Sequence, residues 1–150
     1  MRYLNKIVFI NSAAIRYSEV QLDGNIHLIG TQGVGKSTIL RAILFFYNAD
    51  TQRLGIPVEK KSYQDYYFPY ADSSIIYEVA REDGWFTVLS YKTMNRICYR
   101  FIASPYRPDL FIDEEGAPYP SDRIRSVLDK NGIKYSGAIS TLSLIHISEP

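Results

Sequence analysis

Residues Gly30 to Thr38 read GTQGVGKST, and the spacing from Gly30 to Ser37 is G-x-x-x-x-G-K-S. Glycines at 30, 33 and 35 let backbone N–H groups converge on phosphate oxygens without a Cβ in the way, and a following helix adds its positive end. Lys36 reaches the β- and γ-oxygens as a point charge, and Ser37 is placed to ligate Mg²⁺. Thr38 offers its hydroxyl or amide to the α-phosphate. Gly30, Gly33, Val34, Gly35, Lys36, Ser37 and Thr38 are therefore the expected nucleotide-binding set, with ATP and Mg²⁺ as its cofactors. The competing reading is a chance glycine loop ahead of a helix. Flanking structure decides between them, because this pattern carries weight only between a strand and a helix.

Outward from the loop, NIHLIG (Asn25–Gly30) is an apolar approach of strand length. SEVQL (Ser18–Leu22) alternates polar and apolar, and Asp23-Gly24 between them is a turn signal, so these two segments are expected to form strands joined at that turn. KIVFIN (Lys6–Asn11) is a further strand. His27, with no second ligand nearby, reads as a strand histidine. After Lys36 the period changes: Ile39, Leu40, Ile43, Leu44 and Tyr47 fall at helical spacing, predicting a helix from Ser37 to about Tyr47. Residues 48–72 are loop-rich. SIIYEVA, WFTVLSYK and RICYRFIAS, separated by short turns, predict an antiparallel meander. LFIDEEGAPYP reads as a short strand and turn. SDRIRSVLDKNG predicts a helix capped by Ser121 and stopped at Asn131-Gly132.

The bulk numbers set limits. With 150 residues, 46% hydrophobic and 22% charged, the composition suits one globular domain. A net charge of +1 makes no global case for nucleic acid or an acidic membrane. The single cysteine, Cys98, excludes an internal disulfide, fits a reducing cytoplasm, and sits in a strand-like run where a buried thiol is expected. No apolar run approaches membrane-spanning length, and the first twenty residues lack a signal peptide's apolar centre. Tyrosine is frequent, at 13 residues. Base-stacking surfaces use tyrosines, but strand cores and interfaces do so more often.

The run KIVFINSAAIRYSEVQLDGNIHLIGTQGVGKSTILRAILFFY resembles the N-terminal part of an ATPase head from the structural-maintenance-of-chromosomes (SMC)-like, ABC-type group of the RecF/SMC superfamily. YYFPYADSSIIYEV (Tyr66–Val79) is similar to a stretch that follows in SMC-like ATPases of bacterial chromosome segregation and plasmid or phage defence. The likeness covers roughly the first 80 residues. It departs at Gln32, where asparagine is usual, and at Val34, where a small residue is common. The resemblance implies an α/β fold: a P-loop NTPase core, the N-terminal lobe of the head, with an antiparallel β-subdomain. It also implies that Arg16 contacts nucleotide phosphates, although a solvated surface arginine explains that residue equally well. The implied partners are a second ATPase head, DNA, and a C-terminal half of the same protein carrying the remaining ATPase motifs, in the cytoplasm and away from membranes.

Hydrolysis needs a carboxylate near Mg²⁺ and a group that orients water. Asp113 and Glu114 of LFIDEE are the candidate catalytic acids. Gly116-Ala117-Pro118 follows at once, which favours an acidic hairpin turn instead. LSLIHISEP (Leu142–Pro150) resembles the in-frame translation of a transposase adapter used in sequencing libraries. The expected division is thus 1–141 as an incomplete ATP-binding lobe and 142–150 as an artefact, so that this chain binds ATP without turnover. Two alternatives stand beside it: a compact P-loop NTPase using Asp113 and Glu114, and a non-catalytic nucleotide-binding module.

Overall fold

The computed structural model describes residues 3–22, 36–46, 63–94 and 96–139. Five strands form one sheet: β1 (Tyr3–Ser12), β2 (Ile15–Gln21), β3 (Ser74–Arg81), β4 (Gly84–Thr93) and β5 (Arg96–Ile102). Their spatial order is β2-β1-β3-β4-β5, and each neighbouring pair is antiparallel. Helices α1 (Lys36–Phe46) and α2 (Tyr63–Tyr67) fall between β2 and β3 in sequence, and α3 (Ser121–Lys130) follows a short 3₁₀ helix at Pro108–Leu110.

The sheet separates two hydrophobic cores. On one face Ile7, Phe9, Ile75, Tyr77 and Val88 pack with Ile39, Ala42, Ile43 and Phe46 of α1 and with Tyr67 and Phe68. On the other, Val8, Ile10, Ile76, Leu89 and Tyr91 pack with Leu110 and Phe111 and with Ile124 and Leu128 of α3. Neighbours along β1 therefore point into different cores, and both are buried. Each such large side chain contributes about 1.5–3 kcal/mol by leaving water.

This arrangement corrects the expected α/β class. Among the described residues no two strands run parallel; the scaffold is a mostly β, antiparallel sheet, not a P-loop α/β core. The reason for the misreading is physical. A strand covered on both faces is apolar throughout, whether its neighbours run parallel or antiparallel. KIVFIN and SIIYEV carry that signal, yet β3 returns beside β1 in the opposite direction, with Phe9 facing Ile75 and Val8 facing Ile76.

A second difference lies in the first hairpin. SEVQL pairs with KIVFIN, so that Phe9 faces Ser18 and Ile7 faces Val20. The two-residue turn is Ala13-Ala14, with φ of 49° and 63°, between the paired Ser12 and Ile15. Both positions are left-handed, as this turn class demands, but neither is the glycine or asparagine that would have marked it. The expected turn at Asp23-Gly24 and the strand NIHLIG lie outside the described residues, as does 142–150.

The meander is present as β3-β4-β5, with Arg81 facing Gly84 across the Glu82-Asp83 turn. Helix α3 starts after Pro120, and Ser121 is its first residue and not its cap. At its end Gly132 takes φ 67°, the Gly132 amide donates to the Asp129 carbonyl at 3.1 Å and the Ile133 amide to the Leu128 carbonyl at 3.0 Å. This glycine-closed pair satisfies carbonyls the helix leaves open, and brings Ile133 back to the core that holds Leu128.

Candidate functional site

Helix α1 begins at Lys36, so the second half of the motif lies in its first turn. Gly30, Gly33, Val34 and Gly35 lie outside the described residues. Ser37 is exposed and Thr38 is only 9% exposed. No acidic side chain occupies the first turn, so the positive end of the helix is not neutralised from within its own sequence.

The helix is seated by its apolar stripe and by tyrosine hydroxyls. Ile39 and Ala42 are fully buried against the sheet. Tyr77 of β3 donates to the Ala42 carbonyl at 3.0 Å, and its ring lies 4.6 Å from that of Phe46. Tyr67 of α2 donates to the Thr38 carbonyl at 2.8 Å. Burial is the main cause that raises the Tyr67 hydroxyl's pKa well above the ordinary tyrosine value, while Arg41 beside it acts in the opposite direction. The hydroxyl thus stays protonated and able to donate. The Tyr66 hydroxyl lies 3.4 Å from Thr38 Oγ1, and the Tyr66 and Tyr67 rings meet edge to face at 4.8 Å. Two tyrosines therefore converge on the last residue of the motif. Sequence reasoning placed Tyr66 and Tyr67 in a loop-rich stretch and missed this role; a five-residue helix is too short for periodicity to reveal.

The other sequence-predicted residues lie elsewhere. Arg16 is exposed on β2, immediately after the left-handed turn. With Asp113, Glu114 and Arg123 it lines a cavity of about 1230 Å³. That cavity opens on the side of the sheet that carries α3, bordered by Ile10 and Val127 of the second core. The structure thus gathers Arg16, Asp113 and Glu114 together but leaves them across the sheet from the core that seats α1.

Asp113 has a visible task there. Its Oδ1 accepts the amides of Glu115 and Ala117, each at 2.9 Å, and closes a turn in which Gly116 takes φ 85°. A single bridge between Ile112 and Pro118 stands where a short strand was expected. Glu114 is exposed.

Beside this cavity a chain of polar groups ties β2 to the segment before the 3₁₀ helix. Tyr17 donates to Glu19 at 2.7 Å and lies 2.8 Å from the Tyr106 hydroxyl, which then donates to it. Tyr106 stacks on Phe111 at 5.5 Å. Burial, reinforced by Glu19, pushes the Tyr17 hydroxyl up to about 12. The buried Glu78 accepts from the Asn5 side chain and the Tyr106 amide, both at 2.7 Å. Cys98 is buried, and burial raises its thiol, so it is a structural residue. Among the described residues no group of three or more His, Cys, Asp or Glu side chains is placed to hold a metal, and no helix is long and apolar enough to cross a membrane.

Comparison with curated proteins and with solved structures returns no match. A family model, described as "protein of unknown function (DUF3584)", matches residues 11–143. This span includes the glycine-rich segment, the four strands β2, β3, β4 and β5, and α3, and only the last two residues of β1. The chain belongs to the DUF3584 family.

Proposed function

We propose that the chain binds the phosphate chain of ATP through the segment Gly30–Thr38. The supporting observation is that α1 starts at Lys36, directly behind the glycine pattern, with no acid in its first turn and its apolar stripe locked to the sheet. An anion at that end meets the amide end of the helix and its positive dipole end. This reading concerns binding chemistry and needs no parallel sheet; the antiparallel scaffold supplies the rigid seat.

Mg²⁺ suits the same end, because the exposed Ser37 offers a hard oxygen donor beside the phosphates. When bound it would neutralise phosphate charge. Binding without turnover is the activity proposed for this chain, since Asp113 and Glu114 stand on the other side of the sheet.

The wider proposal follows the resemblance. The chain is the nucleotide-binding part of an SMC-like ATPase of DNA maintenance or of plasmid and phage defence, acting in the cytoplasm with a second head and DNA. What supports it is the pairing of the phosphate motif with the YYFPYADSSIIYEV stretch.

Calorimetric titration with MgATP tests the binding claim. The wild-type chain is expected to bind, and Lys36→Ala to show no measurable affinity. A wild-type chain that leaves ATP free, or a Lys36→Ala variant with unchanged affinity, refutes it.

A further inference from the structure

We propose that Tyr66 is a positioning residue for the nucleotide, acting through the hydroxyl of Thr38 on the α-phosphate; this rests on the ATP reading above. Helix α2 meets α1 at Thr38. Tyr67 holds the Thr38 carbonyl at 2.8 Å, which fixes the residue's backbone. Tyr66, half-buried and braced edge-on against Tyr67, brings its own hydroxyl to 3.4 Å from Thr38 Oγ1.

A threonine hydroxyl has one proton and two lone pairs. Inside a helix it commonly turns its proton back to a carbonyl of the preceding turn. A donor placed on its oxygen occupies a lone pair and leaves the proton to be directed elsewhere. The contact allows either hydroxyl to donate; a phosphate oxygen is an acceptor only, so with phosphate bound Thr38 donates to it and Tyr66 donates to Thr38. The sequence of donation is then Tyr66 to Thr38 to phosphate. At 3.4 Å the first link is longer than an ordinary O–H···O bond of about 2.5–3.0 Å. Hydrogen bonds in a chain polarise one another, so an anion drawing the Thr38 proton strengthens and shortens this link.

The experiment measures affinity of the full chain for MgATP and MgADP in Tyr66→Phe, Thr38→Val, Thr38→Ser and the Tyr66→Phe/Thr38→Val double variant. Tyr66→Phe keeps the ring against Tyr67 and removes only the hydroxyl. It is expected to weaken both nucleotides about three- to tenfold, the range of one hydrogen bond. The melting temperature should stay within about 2 °C of wild type. The double variant should bind like Thr38→Val alone, because Tyr66 has nothing to act through once the hydroxyl is gone. Thr38→Ser, which keeps the hydroxyl and the fold, should retain sensitivity to Tyr66→Phe. Unchanged affinity in Tyr66→Phe overturns the proposal, as does a loss that persists in full on the Thr38→Val background. A loss confined to ATP overturns it too, since the α-phosphate is common to both nucleotides. Failure of the wild type to bind either nucleotide overturns the ATP reading and this proposal together, whereas the other outcomes leave the ATP reading standing.

Discussion

Asp113→Ala separates the two roles that its sequence position suggested. In the structure one carboxylate oxygen accepts two backbone amides, from Glu115 and Ala117, at 2.9 Å each. Gly116 sits between them at φ 85°. Removing the acceptor leaves two amides to be satisfied by water, in a turn that half-buries Asp113. The nearest measured analogue is loss of a helix N-cap, which costs about 0.5–2 kcal/mol. For a chain of this size that corresponds to a fall of roughly 1–8 °C in melting temperature. Asp113→Asn keeps an acceptor oxygen and should recover at least half of the loss. Because this turn lies across the sheet from α1, neither variant should change MgATP affinity by more than about twofold. Paired denaturation and titration of the wild type and both variants provide the assay. Wild-type stability in Asp113→Ala refutes the turn-closing role, and loss of ATP affinity in a folded variant refutes its separation from the phosphate site.

The Ala13-Ala14 turn and the tyrosine hydroxyls yield two further expectations. Ala14 is exposed at φ 63°, so Ala14→Gly should raise stability by about 0.5–1 kcal/mol in chemical denaturation; a decrease would show that the hairpin does not adopt this turn. Tyr17 titrates near 12 in the folded chain against an ordinary value of 10, and Tyr67 and Tyr106 are raised in the same direction, chiefly by burial. A raised folded pKa means that the stabilisation is fully present below about pH 10 and is lost as pH rises towards and through 12. The denaturation midpoint should therefore hold to about pH 10 and then fall, together with the rise of phenolate absorbance; a midpoint flat through pH 12 would be inconsistent with these burials.

Several elements were legible from local pattern. The helix after Lys36 announces itself through Ile39 and Ile43, and the meander through three strand-length runs with Glu82-Asp83-Gly84 between the first two. Asn131-Gly132 as a helix stop is equally local, since only a residue tolerant of positive φ suits that position. The first hairpin was not legible, because Ala13-Ala14 carries no turn chemistry and takes its left-handed shape from the pairing of β1 with β2. At the candidate site Ser37 and Thr38 come from a motif, whereas Tyr66 and Tyr67 reach Thr38 only because the chain folds back across separations of 28 and 29 positions.

The amino-acid sequence by itself determined the change of period at Lys36 and the apolar runs that became β1 and β3. These depend on neighbours within a few residues, so spacing reveals them. Only the tertiary structure decided that those runs lie antiparallel, that both faces of the sheet are covered, and that the acidic turn at Asp113 stands across the sheet from α1. Strand direction and face are set by contacts between distant segments, and an apolar run buried on both sides reads the same whichever way its partner runs.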